Sequence, residues 1–321
     1  MLLGRAGALL GLTILQAGCA NLDGLTSGAD AEPGQESGPQ DASVADATVH
    51  PEGGDAGDGG GDSSVVAVTD ASTFVDGPCG VTAYPVMVAV PIGDAATAFC
   101  IDSTEVTTAE YAIFLRSAVA DASVTPRVAT ELNQRVPGTC MIIGPYDLVP
   151  TQWGDASTPY PVQHAGWCQA FAYCLWAGKT LCGGIDGGTI IDNGSAFDAS
   201  VDEWYAACSA GGVRPHPYGI NPAPFCDVVG GAEGGADGSV PVASDPDCQG
   251  GYAGIYDLEG NVREWENGIV SNSSVQYFRV RGTAWTDLAS DGTCLVNFGI
   301  DQGNAMNGRE DTGFRCCKTP P

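Results

Sequence analysis

The chain is 321 residues long, carries a formal net charge of −27 and has only two lysines, Lys179 and Lys318. With so little to neutralise phosphates, nucleic-acid binding is excluded, and 46 glycines with 8% aromatic residues argue for a loop-rich fold instead of a helical bundle. Thirteen cysteines imply an oxidising compartment, and the odd number leaves one for a different fate.

Residues 1–19, MLLGRAGALLGLTILQAGC, place one arginine before a short apolar run, too short to span a bilayer, and read as a secretory signal. The end, Leu15-Gln16-Ala17-Gly18-Cys19, resembles a bacterial lipobox, with Gln16 where that motif normally has Leu. The resemblance makes Cys19 the lipidated N-terminus and the odd cysteine, and Ala20 after it favours the outer membrane; the alternative is a plain signal with a periplasmic or secreted product. Residues 20–76 hold twelve acids and no Lys or Arg among Gly, Ala, Ser and Pro. Such a segment cannot bury enough apolar surface to offset ordering, so a disordered tether of roughly 40 Å is expected.

An ordered domain is expected over 77–321. Tyr84–Val90 and Phe99–Asp102 have the β-rich composition of strands. Thr107 followed by Glu110 predicts a capping box opening an amphipathic helix. Ala120 to Pro159 reads as loop, with an apolar patch at Met141-Ile142-Ile143. Trp167, Phe171, Cys174 and Leu175 fall at helical spacing, and Gly178 ends that helix. A Gly- and Asp-rich insertion, Cys182 to Ser200, precedes Val201 to Cys208, and no internal repeat is visible.

The stretch that organises the domain is Gly254 to Gly268, GIYDLEGNVREWENG. Gly260-Asn261 is turn chemistry, since Gly accepts positive φ at no steric cost and Asn tolerates it. A turn there brings Asp257 and Glu264 toward each other, and two carboxylates with turn carbonyls make a hard, all-oxygen site suited to Ca²⁺. Spacing alone fits two solvated acids on a surface turn equally well.

This stretch resembles the G-[LIV]-Y-D-x-x-G-N-V-x-E-W signature of the formylglycine-generating enzyme, or sulfatase-modifying factor, family. FCIDSTEVTTAEY from Phe99, GWCQAFAYCLWAGKTL from Gly166, Pro217-Tyr218-Gly219, Arg279 to Trp285 and Gly313-Phe314-Arg315-Cys316 resemble its other blocks, in the same order, over about 78–318. The resemblance implies an α+β fold, a variant C-type-lectin-like domain with twisted antiparallel strands, two main helices and much irregular loop. It implies disulfides Cys174–Cys316 and Cys208–Cys294, with Cys226–Cys248 a plausible third bracketing a Gly-rich loop. The connectivity of Cys79, Cys100, Cys140, Cys168, Cys182 and Cys317 stays open. It also implies a structural Ca²⁺ on Asp257, Gly260, Val262 and Glu264, and points to Asp227 and Val228 for a second.

The family's oxidising members carry a copper-binding cysteine pair just after the R-G-G-S-W/Y block. Here Trp285 is followed by Thr286 to Thr293 with no cysteine, and Cys294 matches the structural disulfide partner. Copper(I) needs soft thiolates, so that oxidation is expected to be absent. His164 and His216 are too few for a three-histidine iron centre; a hydrogen-bonded structural role is expected for His164, and the arginines 263, 279, 281 and 315 are expected to pair with the fold's own acids. The resulting expectation is a monomeric, lipid-anchored surface module with no catalytic residue, presenting Thr283, Trp285, Asp287 and Asn297, with Met306 to Asp311, to a protein, peptide or glycan. The alternative is a formylglycine-generating oxidoreductase acting on a protein cysteine.

Overall fold

Order starts from a few strong local signals. In the computed structural model, Thr107 caps helix α1 (Thr108–Ala120). Its Oγ1 accepts from the Glu110 amide at 3.2 Å, and its own amide donates to Glu110 Oε2 at 2.8 Å. The structure describes residues 74–75, 79–92, 97–191, 197–221, 226–228, 238–272, 275–302 and 305–319. The signal segment with Cys19, the tether with His50, and parts of the Gly-rich loops lie outside the described residues.

Helix α2 (Val124–Arg135) falls where a loop is expected. Two facts explain it. Pro126 stands in the first turn, where its missing N–H is an orphan donor in any helix. Val124, Val128 and Leu132, four residues apart, are all buried. Among the described residues the fold therefore has three long helices instead of two, the third being α3 (Trp167–Trp176), followed by Gly178 at φ +74°. A short α4 (Glu203–Cys208) is capped by Asp202, whose carboxylate accepts from the Tyr205 amide at 2.7 Å.

The strands form a short hairpin and two larger sheets. β1 (Phe74–Val75) pairs with β2 (Thr82–Ala83). β3 (Met87–Ile92) and β4 (Thr97–Asp102) join β11 (Cys316–Lys318) and β5 (Thr180–Leu181) in one antiparallel sheet, ordered β3-β4-β11-β5. The other sheet runs β10 (Thr312–Phe314), β7 (Arg263–Asn272), β8 (Val275–Arg281), β9 (Asn297–Gln302). There β10 and also β6 (Ile190–Ile191) pair with β7 in parallel, so this sheet is mixed and not antiparallel throughout.

The helices bury their apolar faces around Tyr111, Phe114, Tyr173 and Phe314; the Tyr111 and Tyr173 rings stack at 5.5 Å. A second core packs Phe99, Ile101, Trp204 and Ile255 around sulfur. Six disulfides tie this irregular chain: Cys79–Cys100, Cys140–Cys168, Cys174–Cys316, Cys182–Cys317, Cys208–Cys294 and Cys226–Cys248. Cys174–Cys316 and Cys182–Cys317 close the longest loops, with sequence separations of 142 and 135. Each such bridge contributes typically about 2–4 kcal/mol by restricting the unfolded chain. The result is an α+β, loop-rich, disulfide-stabilised fold.

Candidate functional site

The signature turn lies against the Cys226–Val228 segment and leads into β7. Asp257, Gly260 and Asn261 all have positive φ, at 59°, 93° and 56°. Gly260 is obligatory for a second reason: a Cβ there would lie 1.6 Å from the Cys226 carbonyl oxygen. The Asn261 amide donates to the Asp227 carbonyl at 3.1 Å, and the Gly260 amide to Thr283 Oγ1 at 3.1 Å. Asp257 Oδ2 accepts from the Ala243 amide at 2.7 Å. The turn is thus cross-braced to three other segments.

Its charges are unevenly shared. Glu264, buried at the start of β7, accepts from Arg315 Nη2 at 2.6 Å and from the Trp204 indole at 2.8 Å. It is spent on those partners and is not presented beside Asp257 as a second open ligand. Asp257 is held up to about 6, first by burial, with Glu264 and Asp227 adding repulsion and Arg315 opposing. Glu105, a residue the sequence reading did not single out, is fully buried in the same field, and neither carboxylate oxygen has a hydrogen-bond partner. Burial first, then the charge of Asp257, push its carboxyl well above the usual range. Glu105, Asp257 and Glu264 thus face one arginine, and this excess of buried carboxylate fits a hard cation. The second pair, Asp227 and Val228, is buried, and the loop after it lies outside the described residues.

The face at Trp285 is built differently. The Thr283 hydroxyl is buried under Gly260, and the Trp285 amide donates to the Asn261 carbonyl at 2.9 Å. Asp287 accepts from the Ala284 amide at 2.8 Å and from Arg263, whose other nitrogen holds Asp311. Arg309 adds a bond to Asp311 at 3.1 Å. Asn297 opens β9 opposite Arg281. The remaining arginines also meet acids: Arg279 meets Glu266 at 3.2 Å, and Arg281 meets Asp202 and Glu266. Ion pairs brace the Trp285 face, while the buried Trp285 Nε1 has no hydrogen-bond partner among the described residues.

Among the described residues, three potential ligating groups converge at Cys182, Glu203 and Cys317, and at Cys208, Glu259 and Cys294. In each the two sulfurs are joined to one another, so no thiolate is on offer. Beside the second, Glu259 Oε2 lies 3.2 Å from His216 Nδ1. Burial raises Glu259 to about 8 and lowers His216. His164 is held by its backbone: its amide donates to the Arg309 carbonyl at 2.9 Å, its carbonyl accepts from Thr151, and its φ is +59°. The expected hydrogen bond from its ring is not present among the described residues.

A family described as "Sulfatase-modifying factor enzyme 1-like domain" matches residues 89–320. The chain is similar to "Inactive C-alpha-formylglycine-generating enzyme 2" of Bos taurus, 31% identical over 170 residues, covering 49% of this chain and 50% of that protein. It is similar to "Formylglycine-generating enzyme" of Mus musculus, 28% identical over 182 residues, covering 49% and 44%. The chain thus spans about half the length of the curated relatives it matches. PvdO from Pseudomonas aeruginosa, a solved structure, aligns with a TM-score of 0.43 at 17% identity, covering 77% of this chain and 98% of that one.

Proposed function

The chain belongs to the sulfatase-modifying factor enzyme 1-like family, and from that premise we propose that it is a non-catalytic member: an exported, lipid-anchored surface module that binds a ligand instead of oxidising a cysteine. The observation that carries this reading is the state of the sulfur. Twelve cysteines, every one among the described residues, are joined in six disulfides. Copper(I) held by a thiolate pair needs two reduced sulfurs, and the segment after Trp285 supplies threonine, aspartate and leucine in their place. The name of the bovine relative, which begins "Inactive", supports the same reading. Cys19 is the proposed lipid attachment point, and the acidic tether the spacer holding the domain off an outer membrane.

We also propose a structural Ca²⁺ at the signature turn. Asp257 and the carbonyls of Gly260 and Val262 would hold it, with Glu264 already committed to Arg315; the ion would offset the buried negative charge and pin the turn, as a cross-link does.

The direct test is incubation of the purified chain with copper(I) and a cysteine-containing sulfatase peptide, read by mass spectrometry for conversion of thiol to aldehyde. No conversion is expected, and turnover would overturn the proposal. For the anchor, Cys19→Ser is expected to move the protein from the membrane fraction to the soluble one; a variant that stays with membranes rules the lipid out.

A further inference from the structure

A cavity of about 440 Å³ opens beside the N-terminus of α1, away from the signature turn. Trp153, Tyr160, His164, Gln152, Gln163 and Ser239 are among the residues that line it. Tyr160 is 40% exposed, and Trp153 packs inward with its ring 5.8 Å from Tyr111. Among the described residues these six side chains make no hydrogen bond to the protein. Part of the backbone beneath them bonds within the fold. Thr108 donates to the Tyr160 carbonyl at 2.8 Å and Ala109 to that of Thr158 at 3.2 Å. Val162 donates to Val106 at 2.8 Å, and Val242 to Pro159 at 3.0 Å. His164 keeps a left-handed backbone, a conformation that costs a non-glycine residue about 1–3 kcal/mol and concentrates at ligand sites.

We infer that this cavity is a binding site for a neutral saccharide, recognised through side chains and independent of any metal. This deepens the binding-module reading above and rests on it. The lining has no Lys or Arg, so an anion finds no partner. Its one acid, Asp155, already accepts from the Ser157 amide at 2.9 Å and hydroxyl at 2.7 Å. Two amides, two hydroxyls and an imidazole that burial keeps neutral both donate and accept, as the hydroxyls of a sugar do. Trp153 and Tyr160 add apolar ring faces with polar tips, suited to the C–H face of a pyranose. An extended peptide is disfavoured, because strand addition needs free backbone amides and carbonyls, and the carbonyls of Thr158, Pro159, Tyr160 and His164 and the amides of Val162 and His164 already bond within the fold. The volume lies within the usual range of small-ligand sites, about 300–1,000 Å³.

The test titrates the full chain with maltotriose, cellotriose and chitotriose, followed by saturation-transfer NMR and tryptophan fluorescence. At least one is expected to bind saturably below about 10 mM. Tyr160→Ala and Gln163→Ala should each weaken it about tenfold, the scale of one lost contact, with the thermal midpoint unchanged; EDTA should leave it unaltered. Tyr160→Phe, which keeps the ring, serves should the alanine variant fold poorly. Absence of binding by all three sugars, binding indifferent to Tyr160 and Gln163, or binding abolished by EDTA would each overturn the inference. Turnover in the copper assay would sink the non-catalytic reading while leaving this titration intact, so the two failures are distinguishable.

Discussion

At the Trp285 face charged and hydroxyl side chains brace the fold: Arg263 grips Asp287 and Asp311, and Thr283 is buried under Gly260. At the Trp153 cavity the side chains of Gln152, Gln163 and Ser239 make no hydrogen bond among the described residues, on a wall whose backbone is partly bonded within the fold. Polar groups that hold a structure together and polar groups held out by a structure make opposite demands. Removing the first should cost stability and leave binding aside; removing the second should do the reverse.

The largest effect is expected at the clamp. Arg263→Ala leaves Asp287 and Asp311, both largely buried, without their shared cation. Stranding a buried charge costs about 3–5 kcal/mol, measurable as a fall in urea midpoint. An unchanged midpoint would mean that ion pairs do not brace the face.

Calcium comes next. A ligand binding only the folded state at a hundred times its Kd stabilises by about 2.7 kcal/mol, so added Ca²⁺ should raise the thermal midpoint and EDTA lower it. Asp257→Ala should abolish that response. A Ca²⁺ response that survives this change places the ion elsewhere.

The third effect is in pH. Glu259 holds its proton to about 8 in the folded protein because it is buried, with His216 and Tyr218 as its polar neighbours. The native state therefore binds a proton that the unfolded state has released, and stability contributed here falls as pH rises from the ordinary carboxylate range through about 8. The slope is at most about 1.4 kcal/mol per pH unit. Glu259→Gln should flatten it; an identical pH–stability curve would refute the assignment.

The smallest effect belongs to the cavity: Gln163→Ala should change stability by no more than about 0.5 kcal/mol. A large loss would mean that the cavity wall is structural, and the contrast between the two regions would vanish.

Much of this was legible in the sequence where chemistry is local. Thr107 with Glu110 marked the start of α1, the signature blocks carried the fold class, and arginines in an acid-rich chain were bound to find acids. Helix α2 was missed because Pro126 reads as a breaker until its place in the first turn is known. The parallel pairings of β6 and β10 on β7 join segments far apart in the chain, as does the Cys182–Cys317 bridge with its sequence separation of 135, and no spacing encodes them. Glu105 stood in a recognisable block, but its solitude is a property of burial. The cavity lay in a segment read as loop; its one trace was the density of aromatic and amide residues from Gln152 to His164.

The most direct measurement is alkylation of the unreduced, denatured protein, with each cysteine located by peptide mass mapping. The account predicts that none of the twelve cysteines from Cys79 to Cys317 takes the label. Labelling of Cys208 and Cys294 together would expose a thiol pair beside Glu259 and contradict it.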